Sequence, residues 1–278
     1  MYGANATFIG LNAAFMGSLS RRAMKSKISS HQLHSLPGSS DSNGIRILVL
    51  HGKGSNGENF RQVLYPLEQA LQLKVSNMNI QITFDYLTAP YRMSTNKTTL
   101  NPMEWWMLPP GVRSFQAKEY VGFQESASLL EKALMTQKYH FILGHSQGAI
   151  LASIFMATSS IFSWNHPQRP LGCILNGIAW PNPFDYQLQH YENYKSEVEV
   201  SCVNRTQSLF IIGKNDTINP PEGAERVHDI FVHARKTVVK AIYHGGGHSF
   251  PTHDSETMEQ ICNWILSVLS SSSLRLKI

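Results

Sequence analysis

The residue best placed to act as a nucleophile is the serine in Gly144-His145-Ser146-Gln147-Gly148. The apolar run Phe141-Ile-Leu precedes it and Ala149-Ile-Leu-Ala follows. That order reads strand, sharp turn, helix. In this setting G-x-S-x-G is a nucleophile elbow, with the serine strained above a sheet edge. Side chains in place of Gly144 or Gly148 would collide with the neighbouring strand and helix. The helix N-terminus beneath the serine favours developing negative charge.

A serine hydroxyl is a weak nucleophile near neutral pH. It needs a base to take its proton and an acid to orient that base. Around such an elbow the acid and then the histidine follow in chain order, each on a loop after a strand. Asp216 fits the acid, because Gly213-Lys-Asn-Asp216 comes directly after the apolar run Leu209-Phe-Ile-Ile. Asp185 has no strand-like run before it, and Asp229 falls on a helical pattern. His248 fits the base. In His244-Gly-Gly-Gly-His248-Ser-Phe-Pro251 the glycines let the chain bend back over the serine. His244 still belongs to the strand end, and His253 comes later. A metal reading of His244 and His248 is weak, since the glycine run cannot hold a helix and the glutamate of H-E-x-x-H is missing. No metal or cofactor is expected.

The remaining part is a pair of donors for the oxyanion. The backbone N–H of Gln147, just after the serine, is one. The loop His51-Gly52-Lys53 follows the strand-like run Ile45-Arg-Ile-Leu-Val-Leu50, and the Lys53 N–H is the other. Gly52-Lys-Gly-Ser-Asn-Gly57 also matches the dinucleotide pattern G-x-G-x-x-G. That reading needs an acidic residue ~20 positions on. Asp85, the nearest strand-end candidate, lies farther away, so the hydrolase reading is preferred. Residues 91–114 form a long loop with Glu104-Trp105-Trp106. Long loops are often functional. One tryptophan is expected to wall a substrate pocket and the other to plug the core, with His145 a further pocket candidate.

These parts need a scaffold. Strand-like runs at 45–50, 81–90 (stopped by Pro90), 141–143, 171–178, 207–213 and 237–243 alternate with helical patterns. Helices are expected from Phe60 to Leu71, kinked or restarted at Pro66, and from Phe115 to Gln137. Others follow Ser146, span Glu222 to Phe231, and cover Met258 to Val268. Residues 179–206 read as an excursion or partial cap. The alternation implies an α/β fold with a mostly parallel sheet and helices on both faces.

The chain has 278 residues, which suits one such domain with an extension, and carries a formal charge of +5. Residues 1–43 hold Arg21, Arg22, Lys25 and Lys27 against Asp41 alone, so they supply +3 of that total. The body is therefore not strongly basic, and no basic stripe with interleaved aromatics points to nucleic acid. No run approaches a membrane span of ~18 apolar residues. The cysteines Cys173, Cys202 and Cys262 are scattered, which suits a reducing compartment. The acid-poor, Ser- and Arg-bearing segment 1–43 reads as a mitochondrial or plastid transit peptide, or as a disordered extension of a cytoplasmic protein. The hydrolase domain is placed at 44–278.

Taken together, Leu50-His-Gly52, Trp105-Trp106, Gly144-His-Ser-Gln-Gly-Ala149, Gly213-Lys-Asn-Asp216 and Gly246-Gly-His248-Ser-Phe-Pro251 resemble the FSH-type serine hydrolases. That family includes the ovarian-tumour-suppressor-candidate hydrolases. The resemblance spans Ile45 to Leu269. Two features depart from the family pattern. His145 stands where the family often has Phe, and the spacing between His244 and His248 is one residue longer. The resemblance implies an α/β-hydrolase fold, no metal, and esterase or thioesterase activity on a small acyl ester or thioester. The expected catalytic set is Ser146, Asp216 and His248, working through an acyl-enzyme. Rival readings are a thioesterase with the same triad and a catalytically silent binding module.

Overall fold

The computed structural model describes residues 44–78, 80–93, 100–163, 166–193, 206–234 and 238–272. The extension 1–43 and Cys202 lie outside them.

Six parallel strands form the central sheet. They are β1 (Gly44–Leu50), β2 (Gln81–Leu87), β5 (Phe141–His145), β6 (Gly172–Asn176), β7 (Gln207–Gly213) and β8 (Val238–His244), in the spatial order β2-β1-β5-β6-β7-β8. A short antiparallel pair, β3 (Tyr91–Arg92) and β4 (Met103–Glu104), stands apart from it. The strand runs are apolar because both sheet faces are covered. Side chains alternate between the two cores. On β1, Leu48 and Leu50 face one side, while Ile45, Ile47 and Val49 face the other.

Helices α1 (Gly57–Val75) and α6 (Ser255–Ser271) close one face through Phe60, Leu64, Leu67, Ile261 and Ile265. The other face takes α2 (Phe123–Thr136), α3 (Gln147–Thr158), α4 (Asp185–Asn193) and α5 (Pro221–Ala234). In α3 every residue from Gln147 to Met156 is buried, as befits a central helix.

Two local expectations differ from the structure. Helix α1 runs through Pro66 as one element. Pro66 and Gln62 both lie on its exposed side, where water can satisfy the carbonyl that proline leaves unbonded. Helix α2 starts at Phe123, not Phe115. Ser114–Gln116 form a separate 3-10 turn, and Gly122 at φ 86° sets the helix start. Within the excursion after β6, α4 packs against α3 and α5, and Leu188 is fully buried. Cys173 and Cys262 are buried free thiols.

The chain leaves β1 for β2 on one side and returns at β5 on the other. Beyond the C-terminal ends of β1 and β5 lies the switch point where open α/β sheets bind ligands. The loop after β1 and the turn after β5 both open there.

Candidate active site

Ser146 sits at that switch point with φ 54° and ψ −116°, a strained conformation for a residue with a side chain. The turn closes because its glycines are bare. A Cβ on Gly144 would lie 2.6 Å from the Gly148 carbonyl oxygen, and one on Gly148 would lie 2.3 Å from that of Leu50. The Ser146 N–H donates to the Asn176 carbonyl at the end of β6, 2.9 Å away. Ser146 heads α3, so its hydroxyl stands at the positive end of a helix.

The neighbouring strands β7 and β8 deliver the partners. Gly213 lies opposite His244 in their register, so both loops emerge side by side. The loops are then stitched together. Lys214 N–H donates to the His244 carbonyl at 2.9 Å, Asn215 N–H to Gly246 at 3.1 Å, and the Asn215 amide to Gly245 at 2.7 Å. His248 Nδ1 ends 2.7 Å from Asp216 Oδ2, and His248 Nε2 2.9 Å from Ser146 Oγ. The three side chains form one continuous hydrogen-bonded chain. An ionised Asp216 accepts the Nδ1 proton, which leaves the Nε2 lone pair facing the hydroxyl.

Burial alone would raise the Asp216 carboxyl. Hydrogen bonds from His248 and from the Asn219 and Ile218 N–H groups outweigh it and hold the group below its ordinary value. Asn219 also ties the acid loop across the site, its side-chain amide donating to the Gly177 carbonyl at 2.7 Å. Asp185 is elsewhere, paired with Arg226 on the surface at 2.9 Å, and Asp229 lies on α5. His244 ends β8 buried, its Nδ1 accepting the Gly246 N–H at 3.2 Å.

His145 lies beside His248. Its ring stacks on Phe60 of α1 at 5.4 Å and lies 5.0 Å from the His248 ring. Its Nδ1 is 2.8 Å from the Asn176 side-chain nitrogen. Burial, reinforced by nearby His248, lowers its pKa to about 3. It therefore stays neutral near pH 7 and does not oppose a positive charge on the His248 ring.

The loop after β1 packs against the serine. A Cβ on Gly52 would come within 2.9 Å of His145 Cδ2 and 3.2 Å of Ser146 Cβ. The Gly52 carbonyl accepts from His51 Nδ1 at 2.8 Å and from the Ser55 N–H at 3.2 Å. A trans peptide points its C=O and N–H in opposite directions, so holding that carbonyl also fixes the direction of the Lys53 N–H. His51 Nε2 accepts the Ala89 N–H at 3.0 Å, which requires the neutral ring protonated at Nδ1. Burial lowers its pKa to about 4, consistent with that tautomer. The Lys53 side chain is exposed and lies 3.2 Å from Glu104, an ion pair without hydrogen-bond geometry.

Trp105 and Trp106 are both fully buried and neither faces solvent. Trp106 stacks on Tyr120 at 4.4 Å. The Gln147 side chain binds this segment: Oε1 accepts the Trp105 N–H at 2.9 Å, and Nε2 donates to the Trp106 carbonyl at 3.3 Å. A buried amide left without such partners would cost about 1–3 kcal/mol. The contributions of His51, Asn176, Asn219 and the Gln147 side chain carry no sequence signal of their own. They depend on contacts across 31 or more positions of chain.

A sequence profile of the serine hydrolase (FSH1) family matches residues 41–260. The chain belongs to that family. Among similar proteins, Esterase CG5412 of Drosophila melanogaster is 28% identical over 219 residues, covering 74% of this chain and 68% of its own. Esterase OVCA2 of Danio rerio is 24% identical over 231 residues, covering 76% and 92%. The crystal structure of esterase PE8 superposes with a TM-score of 0.58 at 18% identity, covering 86% of this FSH1-family chain and 100% of PE8. That likeness supports the α/β-hydrolase fold. Among the described residues, no helix is long and apolar enough to cross a membrane.

Proposed function

We propose that this FSH1-family hydrolase cleaves carboxylic esters of acyl groups through an acyl-enzyme on Ser146. The observation that carries this reading is the chain from Ser146 Oγ through His248 to Asp216, at 2.9 and 2.7 Å. The names of the esterase relatives agree with it.

In the first half-reaction Ser146 Oγ attacks the acyl carbonyl carbon, and His248 Nε2 takes the hydroxyl proton. The charge that develops on the carbonyl oxygen is met by the N–H groups of Lys53 and Gln147. Asp216 holds the Nδ1–H tautomer and stabilises the imidazolium. The intermediate collapses, and the alkoxide leaves with the proton from Nε2. Water then enters, gives a proton to His248 and attacks the acyl carbon. The carboxylic acid departs, and the proton returns to Ser146.

Labelling with a fluorophosphonate probe tests this reading. The native protein should label, and Ser146→Ala should not. Labelling that survives the substitution would place the nucleophile elsewhere. A folded native protein that fails to label would favour a binding module. For the labelled enzyme, matched ester and thioester substrates decide between esterase and thioesterase.

A further inference from the structure

The two oxyanion donors lie on separate pieces of chain, the loop after β1 and the start of α3. An oxyanion hole works only when its donors are held in position before charge develops. One buried segment, Met103–Trp106, is bonded to both pieces.

On the loop side, the Trp105 indole N–H donates to the His51 carbonyl at 2.7 Å. Gly54 N–H donates to the Met103 carbonyl at 2.8 Å, and Met103 N–H to that of Ser55 at 2.7 Å. On the elbow side, the Gln147 amide makes its two bonds to the backbones of Trp105 and Trp106. Ser126 on α2 donates to the Trp105 carbonyl and holds the segment from behind. Trp105, His51 and Gln147 are at most 2% exposed, so water does not compete for these bonds.

We infer that the Trp105 indole and the Gln147 side-chain amide are positioning residues, which together set the spacing between the Lys53 and Gln147 N–H donors. This rests on the serine-hydrolase reading of those donors. Neighbouring Trp106 supplies the contrast. It is equally large and equally buried, yet its indole N–H finds no hydrogen-bond partner among the described residues. Packing alone accounts for Trp106. Trp105 differs in spending its N–H on the peptide that leads into the oxyanion loop.

The test compares native protein with Trp105→Phe, Gln147→Leu and Trp106→Phe. Each is measured for kcat and KM on a 4-nitrophenyl acyl ester. Each is also titrated with a trifluoromethyl ketone, which adds reversibly to the serine and places an oxyanion in the hole. Thermal unfolding reports the packing cost, with Trp106→Phe as its reference. Losing one donor outright costs ~10²–10³ in rate, and misplacement by about 1 Å can cost ~10². Trp105→Phe and Gln147→Leu should therefore lower kcat by about 10–100-fold with KM nearly unchanged. They should weaken the ketone by a similar factor, and Trp106→Phe should do neither to that extent. Native kcat and ketone affinity in Trp105→Phe would overturn the inference. A rise in KM alone would also do so, since it would make Trp105 a substrate wall. If Trp105→Phe does not fold, Gln147→Leu decides on the same criteria. If native protein is inert to fluorophosphonate, the hydrolase reading fails and takes this inference with it. Labelled native protein with unaffected variants refutes the positioning role alone.

Discussion

Asp216 Oδ2 lies 2.7 Å from His248 Nδ1, while Asp216 Oδ1 accepts the Ile218 and Asn219 N–H groups at 2.9 Å each. Both oxygens are thus committed, one to the His248 ring and one to N–H groups of its own loop. Asp216→Asn keeps the size and the loop contacts but can donate to Nδ1, which forces the His248 proton onto Nε2, facing the serine. We expect kcat to fall on the order of 10⁴ with little change in thermal unfolding. Steady-state kinetics on a 4-nitrophenyl ester, beside a melting curve, checks both.

Asp185 provides the matching control. It pairs with Arg226 at the surface, where its side chain is 40% exposed. Exposed pairs contribute about 0–1 kcal/mol. Asp185→Ala should keep nearly all the activity and stability. Losses equal to those of Asp216→Asn would mean the acid has been misassigned.

Gly148 is pressed onto β1. A Cβ there would lie 2.3 Å from the Leu50 carbonyl oxygen and 2.8 Å from that of His51. Those atoms are backbone and cannot rotate away. Gly148→Ala should destabilise the protein by about 1–3 kcal/mol, as overpacking does, and also displace the oxyanion loop. Urea denaturation and fluorophosphonate labelling rate should fall together. A stable variant with native labelling would refute the close approach.

Two histidines, His51 fully buried and His145 partly so, tie stability to pH. Burial lowers His51 from 6.5 to about 4 and His145 from 6.5 to about 3. A lowered folded value means that the unfolded chain binds the proton first. The stabilisation is fully present above pH 6.5 and is lost as pH falls from there through about 4 for His51 and about 3 for His145. Within that window each such histidine contributes about 1.4 kcal/mol per pH unit. Urea midpoints should drop between pH 7 and pH 5. The slope should become shallower by about one proton in His145→Phe. An unchanged slope would show that His145 is not held neutral.

Much of the architecture is legible in local sequence. The strand at 141–145 announces itself by an apolar run that stops at a glycine-flanked serine. Asp216 and His248 stand out because each follows an apolar strand within a loop rich in glycine or asparagine. The apolar strand before it ranks Asp216 over Asp185, and the glycine turn ranks His248 over His253. Boundaries were less legible, because α2 begins where Gly122 takes a positive φ and not where the apolar spacing begins.

What the sequence determined by itself is what short-range chemistry controls: buried strands, an elbow that only glycine permits, and loops able to carry an acid and a base. Tertiary structure decided the roles of residues whose partners are remote in the chain. Trp105 and Trp106 are the same residue type in adjacent positions, and no local pattern separates them. The fold places the Trp105 indole 2.7 Å from the His51 carbonyl, and among the described residues that of Trp106 has no partner. Likewise, composition cannot tell that His145 stacks on Phe60 and sits beside His248. A buried polar group takes its meaning from the atom that satisfies it, and only the packed chain brings that atom within reach.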